Sequence, residues 1–264
     1  MEDVPRNQAT SEEDALKILL LDIETAPNKV YAWGLWDQNI ALNQVEETSY
    51  ILCWAAKWLG DDQVMFDSVK KSKPKLMMGR MHKLLDEADC VVHYNGLKFD
   101  IPTLNKEFIQ QGFAPPAPYK QVDCLKEVKR MFRFQSNKLD FVAQALGLGA
   151  KQAHEGFTLW TACMRGDKEA WKRMEAYNRQ DVKLLEDLYL KLRPWIEKHP
   201  SHGAHQDIEC CPKCGSEKLQ QRGYAVTQMM KYRRYQCQGC GGWSRGNKSM
   251  THTRGRQRIA NVVS

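Results

Sequence analysis

From Ile18 to Leu21 every position is apolar, and beyond them Asp22 and Glu24 flank Ile23. A short run with no polar break suits a central strand covered on both faces, so the pattern predicts a first strand over 16–24. Strand side chains alternate, which turns Asp22 and Glu24 to one side and Ile23 into the opposite layer. Val30 to Trp36, Tyr50 to Trp58 and Gln63 to Ser68 read as further strands of a meander, the second and third with aromatic alternation. A helix is expected over 75–88 with Leu76, Met77, Met81, Leu84 and Leu85 inward, then a strand over 90–93 and a helix over 100–111 whose opening turn accepts Pro102. The stretch from Gly112 to Pro118 ends that helix, and helices are expected to dominate from there to Arg193. Over 169–193 the positions Trp171, Met174, Tyr177, Asp181, Leu184, Leu188 and Leu192 advance by three or four residues, the spacing of a helix face turned to a core. Strands followed by helices around a mixed sheet make the expected class α/β.

Three of these segments carry charge where apolar neighbours predict burial. They are Asp22 and Glu24 in the first strand, Asp100 between Phe99 and Ile101, and Asp181 one turn beyond Tyr177 on the buried helix stripe. Uncompensated buried charge costs several kcal/mol or more, so four carboxylates in such settings imply a cation. Oxygen-only ligands favour Mg²⁺ or Mn²⁺ over zinc.

The sequences around these acids are Asp22-Ile23-Glu24-Thr25, His93-Tyr94-Asn95-Gly96-Leu97-Lys98-Phe99-Asp100-Ile101-Pro102 and Tyr177-Asn178-Arg179-Gln180-Asp181. They resemble the three exonuclease motifs of the DEDD superfamily in its tyrosine-containing, DnaQ-like DEDDy branch. The middle motif, and Lys138-Leu139-Asp140-Phe141-Val142-Ala143 after it, are similar to the proofreading domain of family B DNA polymerases. No polymerase domain follows, so the expectation is a stand-alone exonuclease of the kind many phages encode. The resemblance spans roughly residues 16–192. It implies a ribonuclease H-like fold and a metal-dependent 3′–5′ exonuclease using two Mg²⁺ or Mn²⁺ ions. Asp22 would bridge both ions, Glu24 and Asp181 would hold the ion nearest the attacking water, and Asp100 would support the second. Two ions about 4 Å apart both activate water and stabilise the leaving oxygen. Tyr177 would orient that water, since a phenol of ordinary pKa near 10 is a weak base. Thr25, Asn95 and Phe99 match positions that hold the terminal nucleotide, although Asn95-Gly96 also reads as a turn and Phe99 as core. Other readings are a catalytically weak binding scaffold and a structure-specific or RNA-directed nuclease on the same metals.

Near the C-terminus Cys211-Pro212-Lys213-Cys214 and Cys237-Gln238-Gly239-Cys240 form two Cys-x-x-Cys pairs, each followed by glycine. This spacing matches one structural Zn²⁺ held by four thiolates, on a zinc ribbon with a short hairpin between the knuckles. Cys210 competes with Cys211 for the first ligand position. Cys53, Cys90, Cys124 and Cys163 lie in apolar segments and read as small core residues.

Charge divides the chain where the cysteines do. Residues 201–264 hold eleven Lys and Arg against three Asp and Glu, while the first 200 residues are nearly balanced. Arg233 and Arg234, with Arg245, Lys248, Arg254, Arg256 and Arg258 and the nearby rings of Tyr232, Tyr235 and Trp243, are residue types that hold phosphates and stack on bases. The expected partner is therefore nucleic acid, DNA favoured over RNA, with a replication or host protein docking on the ribbon as the alternative. The expected organisation is a flexible 1–14, an exonuclease domain over 15–197, a linker over 198–208 carrying His199, His202 and His205, a zinc ribbon over 209–247 and a basic tail over 248–264. Nine cysteines, four of them in metal-ligand pairs, fit a reducing compartment better than a disulfide framework. No segment has the apolar length of a membrane span, so a cytoplasmic location is expected, host cytoplasm for a phage product.

Overall fold

The computed structural model describes residues 16–149, 156–206 and 208–250. The N-terminal segment 1–14 and most of the basic tail, with Arg254, Arg256 and Arg258, lie outside these residues. The chain divides into two compact units, one spanning Lys17–Tyr189 and one that takes up the chain from Leu190.

The larger unit is built on a five-stranded sheet of β1 (Ile18–Thr25), β4 (Ile51–Trp58), β5 (Met65–Ser68), β6 (Cys90–His93) and β7 (Lys120–Asp123), ordered β5-β4-β1-β6-β7. β1 is central, antiparallel to β4 and parallel to β6, which is why its run from Ile18 to Leu21 is buried throughout. Two further short strands, β2 (Lys29–Val30) and β3 (Val45–Glu47), pair with each other. Alternation sends Leu19, Leu21 and Ile23 to one face, where they pack against α1 (Pro74–Glu87) and α2 (Asp100–Gln110) through Met77, Met81, Leu104 and Phe108. Leu52 and Cys53 contribute to the other layer, with α5 (Phe157–Met164) and α6 (Lys168–Leu192) through Leu159, Trp171 and Met174. Between them in sequence lie α3 (Cys124–Met131) and α4 (Leu139–Ala145). The whole expected α6 stripe, from Trp171 to Leu192 and including Asp181, is buried. α6 is tied to β4 by Lys57 Nζ to Glu186 Oε2 at 2.5 Å, a nearly dry ion pair.

The structure departs from the pattern in four places. Residues 31–36 are not a strand: past Val30 the chain leaves the sheet, and Trp33 stands 99% exposed with Leu35 and Trp36 also in solvent. Aromatic alternation there follows no pleat, and just beyond it Asp37 takes a positive φ of 51. In α1, Leu76 is exposed and Met78, two positions on, is buried beside Met77. β7 interrupts the expected helices; only Val122 and Asp123 of its four residues are buried, too little for a period to show. The C-terminal sheet has three strands rather than a hairpin, β8 (Leu219–Val226), β9 (Lys231–Cys237) and β10 (Trp243–Ser249), preceded by the short α7 (His202–Gln206).

Candidate metal centres

Asp22 and Glu24 project from the same face of β1, and α6 brings Asp181 to them. One carboxylate oxygen from each lies within 4.8 Å of the others. Three acids this close repel strongly unless a cation joins them, and oxygen donors of this kind suit a hard divalent metal. Asp22 is held from behind: the Nδ2 of Asn178, a fully buried residue, donates to Asp22 Oδ2 at 2.6 Å and to its backbone carbonyl at 3.4 Å. Sequence reasoning passed over Asn178 as a spacer inside Tyr-x-x-x-Asp. The available signal was an amide on the sheet-facing side of a helix, where it must find a partner.

Asp100 stands outside that trio, at the first turn of α2, with its Oδ1 accepting from Ile23 N at 3.2 Å. Burial pushes its carboxyl up to about 7, more than the Ile23 hydrogen bond pulls it down. The unfolded value is about 3.9, so the folded metal-free protein binds this proton more tightly than the unfolded chain. Stability is then fully present at acid pH and declines as pH rises from about 4 to about 7, by about 4 kcal/mol at most. In metal-free protein the urea midpoint should fall between pH 4.5 and pH 8, and Asp100→Asn should remove most of that fall. An unchanged fall in the variant would locate the effect elsewhere.

The Tyr177 phenol is pushed far up, first by burial and then by the charges of Asp181, Glu24 and Asp22. It remains a protonated donor at any physiological pH, hydrogen-bonded to Asp181, with the indole of Trp160 edge-on at 6.0 Å. Thr25, at the end of β1, lines a cavity of about 350 Å³ with Pro27, Gly156, Phe157 and Trp160. Phe157 and Trp160 carried no sequence signal beyond an apolar helix.

The middle motif is a clamped loop. Asp123, at the end of β7, accepts on Oδ1 from the backbone N–H groups of Asn95, Leu125 and Lys126, and on Oδ2 from Leu97 N. His93, fully buried at the end of β6, accepts from Gly96 N at 3.0 Å. A Cβ at Gly96 would stand 2.4 Å from the imidazole, so only glycine fits there. Asn95 takes φ 70, which asparagine tolerates better than most residues. Asn95-Gly96 is thus a turn, and Phe99 is 44% exposed rather than core.

In the C-terminal unit, Cys211, Cys214, Cys237 and Cys240 bring their sulfurs within 4.8 Å of one another; Cys210 is not in this set. Cys211 and Cys240 are 3.7 Å apart and Cys214 and Cys237 3.6 Å. Four sulfurs about 2.3 Å from a tetrahedral zinc ion stand about 3.8 Å apart, so the geometry fits a zinc ribbon. Burial alone would raise the Cys237 thiol, but Gly239 N and Cys240 N donate to its Sγ, and hydrogen bonding as a whole brings it down to about 7, favouring thiolate. The knuckle is backed by Lys213, whose Nζ donates to the Pro194 carbonyl, and by His202, whose ring lies 3.5 Å from where a Gly215 Cβ would be. Arg233 and Arg234 are neighbours on β9 and therefore project from opposite faces of the sheet.

Among described residues, no helix is long and apolar enough to cross a membrane. Nothing among curated protein sequences matches the chain. Among solved structures it is similar to the family B DNA polymerase from the hyperthermophilic archaeon Pyrobaculum calidifontis, at 15% identity and a TM-score of 0.51. That match covers 84% of this chain and 33% of the polymerase chain, a likeness of fold. The family model described as RNase_H superfamily matches residues 19–193, which include all of β1 but Ile18 and the whole of α6, with the acid trio between them, and the chain belongs to that superfamily.

Proposed function

We propose that the chain is a metal-dependent 3′–5′ exonuclease of the DEDDy type that removes nucleotides from the 3′ end of nucleic acid, single-stranded DNA by preference. The observation that carries this reading is the convergence of Asp22, Glu24 and Asp181, from two elements far apart in sequence, beside a buried protonated Tyr177. Asp22, Glu24, Asp100 and Asp181 would hold two Mg²⁺ or Mn²⁺ ions. Such ions, when bound, supply a nucleophile at neutral pH and neutralise charge on the leaving oxygen. The chain's own groups do the rest. Asn178 fixes the Asp22 carboxylate, and Tyr177, whose one proton is given to Asp181, would orient the attacking water by accepting a hydrogen bond on its oxygen, without taking its proton. Asn95 and Phe99, on the loop clamped by Asp123, and Thr25 in its aromatic-lined cavity receive the terminal nucleotide.

The Cys₄ set holds one structural Zn²⁺ on a ribbon that begins near residue 209, after an exonuclease domain that ends near 197. With nine cysteines and no disulfide among them, the protein suits a reducing cytoplasm. A time course on 5′-labelled single- and double-stranded DNA and RNA with Mg²⁺ should yield a one-nucleotide ladder, fastest on single-stranded DNA. A ladder from 3′-labelled but not 5′-labelled strands would reverse the polarity, and internal fragments without a ladder would replace the exonuclease with an endonuclease.

A further inference from the structure

One face of the C-terminal sheet carries an arrangement of charge that no carboxylate among the described residues neutralises. Arg234 on β9 and Arg245 on β10 are direct cross-strand partners. Like charges placed opposite one another destabilise a sheet. Alternation puts Tyr232 and Trp243 on the same face, and each arginine is laid on a ring: the Arg234 guanidinium is 5.0 Å from the Trp243 ring centre, and that of Arg245 is 4.0 Å from Tyr232. The order across the two strands is Trp243, Arg234, Arg245, Tyr232. Arg234 Nε also donates to the Arg222 carbonyl at 2.9 Å, which fixes the direction of its fork. No salt bridge to either arginine occurs among the described residues, and from Lys218 to Ser264 the sequence contains neither Asp nor Glu. The opposite face carries Lys231, laid over the Tyr224 ring, and Arg233, which Tyr224 faces across the strands.

We propose that Arg234 and Arg245 form a seat for a nucleic-acid backbone phosphate, with Trp243, 45% exposed, offering its ring to an adjacent base. Guanidinium forks suit phosphate because each can donate two parallel hydrogen bonds, and an aromatic ring beside them accepts any base. The facing charges are then a site waiting for its counter-charge, and the ring contacts hold both forks in place without a carboxylate. This rests on the nuclease reading only in taking nucleic acid as the polyanion. An acidic protein segment is the competing occupant; it would use the charges but not the exposed indole.

The test is binding of a fluorescein-labelled 30-nucleotide single strand to the full chain without added Mg²⁺, across a series of salt concentrations. Arg234→Gln with Arg245→Gln should weaken binding roughly tenfold at low salt and reduce the slope of log K against log salt by about 0.7, the single-strand value for one phosphate no longer neutralised. Each single substitution should remove about half of that slope change, and these carry the test if the double variant loses its zinc. Trp243→Ala should weaken binding with the slope unchanged. An unchanged slope in zinc-loaded Arg234/Arg245 variants overturns the proposal, as does an equal effect of Arg233→Gln on the other face. Competition by polyglutamate as effective as by DNA of equal charge would also overturn it, in favour of a protein partner. None of these results depends on hydrolysis, so a chain that binds through this face and cleaves nothing would reject the nuclease reading alone.

Discussion

Asp22→Asn is expected to abolish hydrolysis, by on the order of 10³-fold or more, about 4 kcal/mol of lost transition-state stabilisation. This variant separates chemistry from folding better than alanine does. Alanine would strip the fully buried Asn178 of its acceptor and add a cost of about 1–3 kcal/mol that has nothing to do with metal. Asparagine keeps an acceptor oxygen there and removes one of three mutually repelling charges within 4.8 Å, so the metal-free variant should melt no lower than wild type. The stabilisation that millimolar Mg²⁺ or Mn²⁺ gives the wild type, through binding to the folded state alone, should vanish in the variant. Activity within a few-fold of wild type in folded Asp22→Asn would remove the acid trio from the mechanism.

Removing the ion from the Cys₄ set is expected to unfold the C-terminal sheet. Among the described residues of 208–250, only Cys210, Cys211, Lys213, Cys237 and Gly242 are buried, and β8 and β10 have no buried position at all. Three strands without an apolar core cannot offset their own ordering entropy, whereas structural zinc contributes about 10–16 kcal/mol in comparable peptides. A zinc-selective chelator, or Cys214→Ser, should abolish hydrogen-exchange protection throughout β8, β9 and β10 and leave that of β1 and β4 intact. Persistent protection of β9 in protein shown to be zinc-free would mean that the sheet stands on its own.

What the sequence revealed and what it hid divide along physical lines. β1, β4, α1, α2 and α6 were legible because each buries a long, periodic set of side chains, and the acids were conspicuous because charge in such a set is expensive. β7 was hidden because an edge strand of four residues buries too little to leave a pattern. Residues 31–36 misled because aromatic alternation ordinarily signals a half-buried strand, while Trp33 and Trp36 face solvent. Asn178 and Asp123 act through hydrogen bonds to groups 156 and 28 residues away, and no local pattern encodes such partners. The two-residue spacing to Cys214 favours Cys211 over Cys210, and Cys211 is the one whose sulfur joins the set.

The span of the acid trio has a consequence for the protein's synthesis. Asp22 lies on β1, the first described strand in sequence, but its partner Asp181 lies on α6, after β4, β6 and β7 of the same sheet. Contacts of such long sequence separation form late. Until α6 has folded onto the sheet the three carboxylates are not together, so any chemistry they support is withheld until the larger unit is essentially complete.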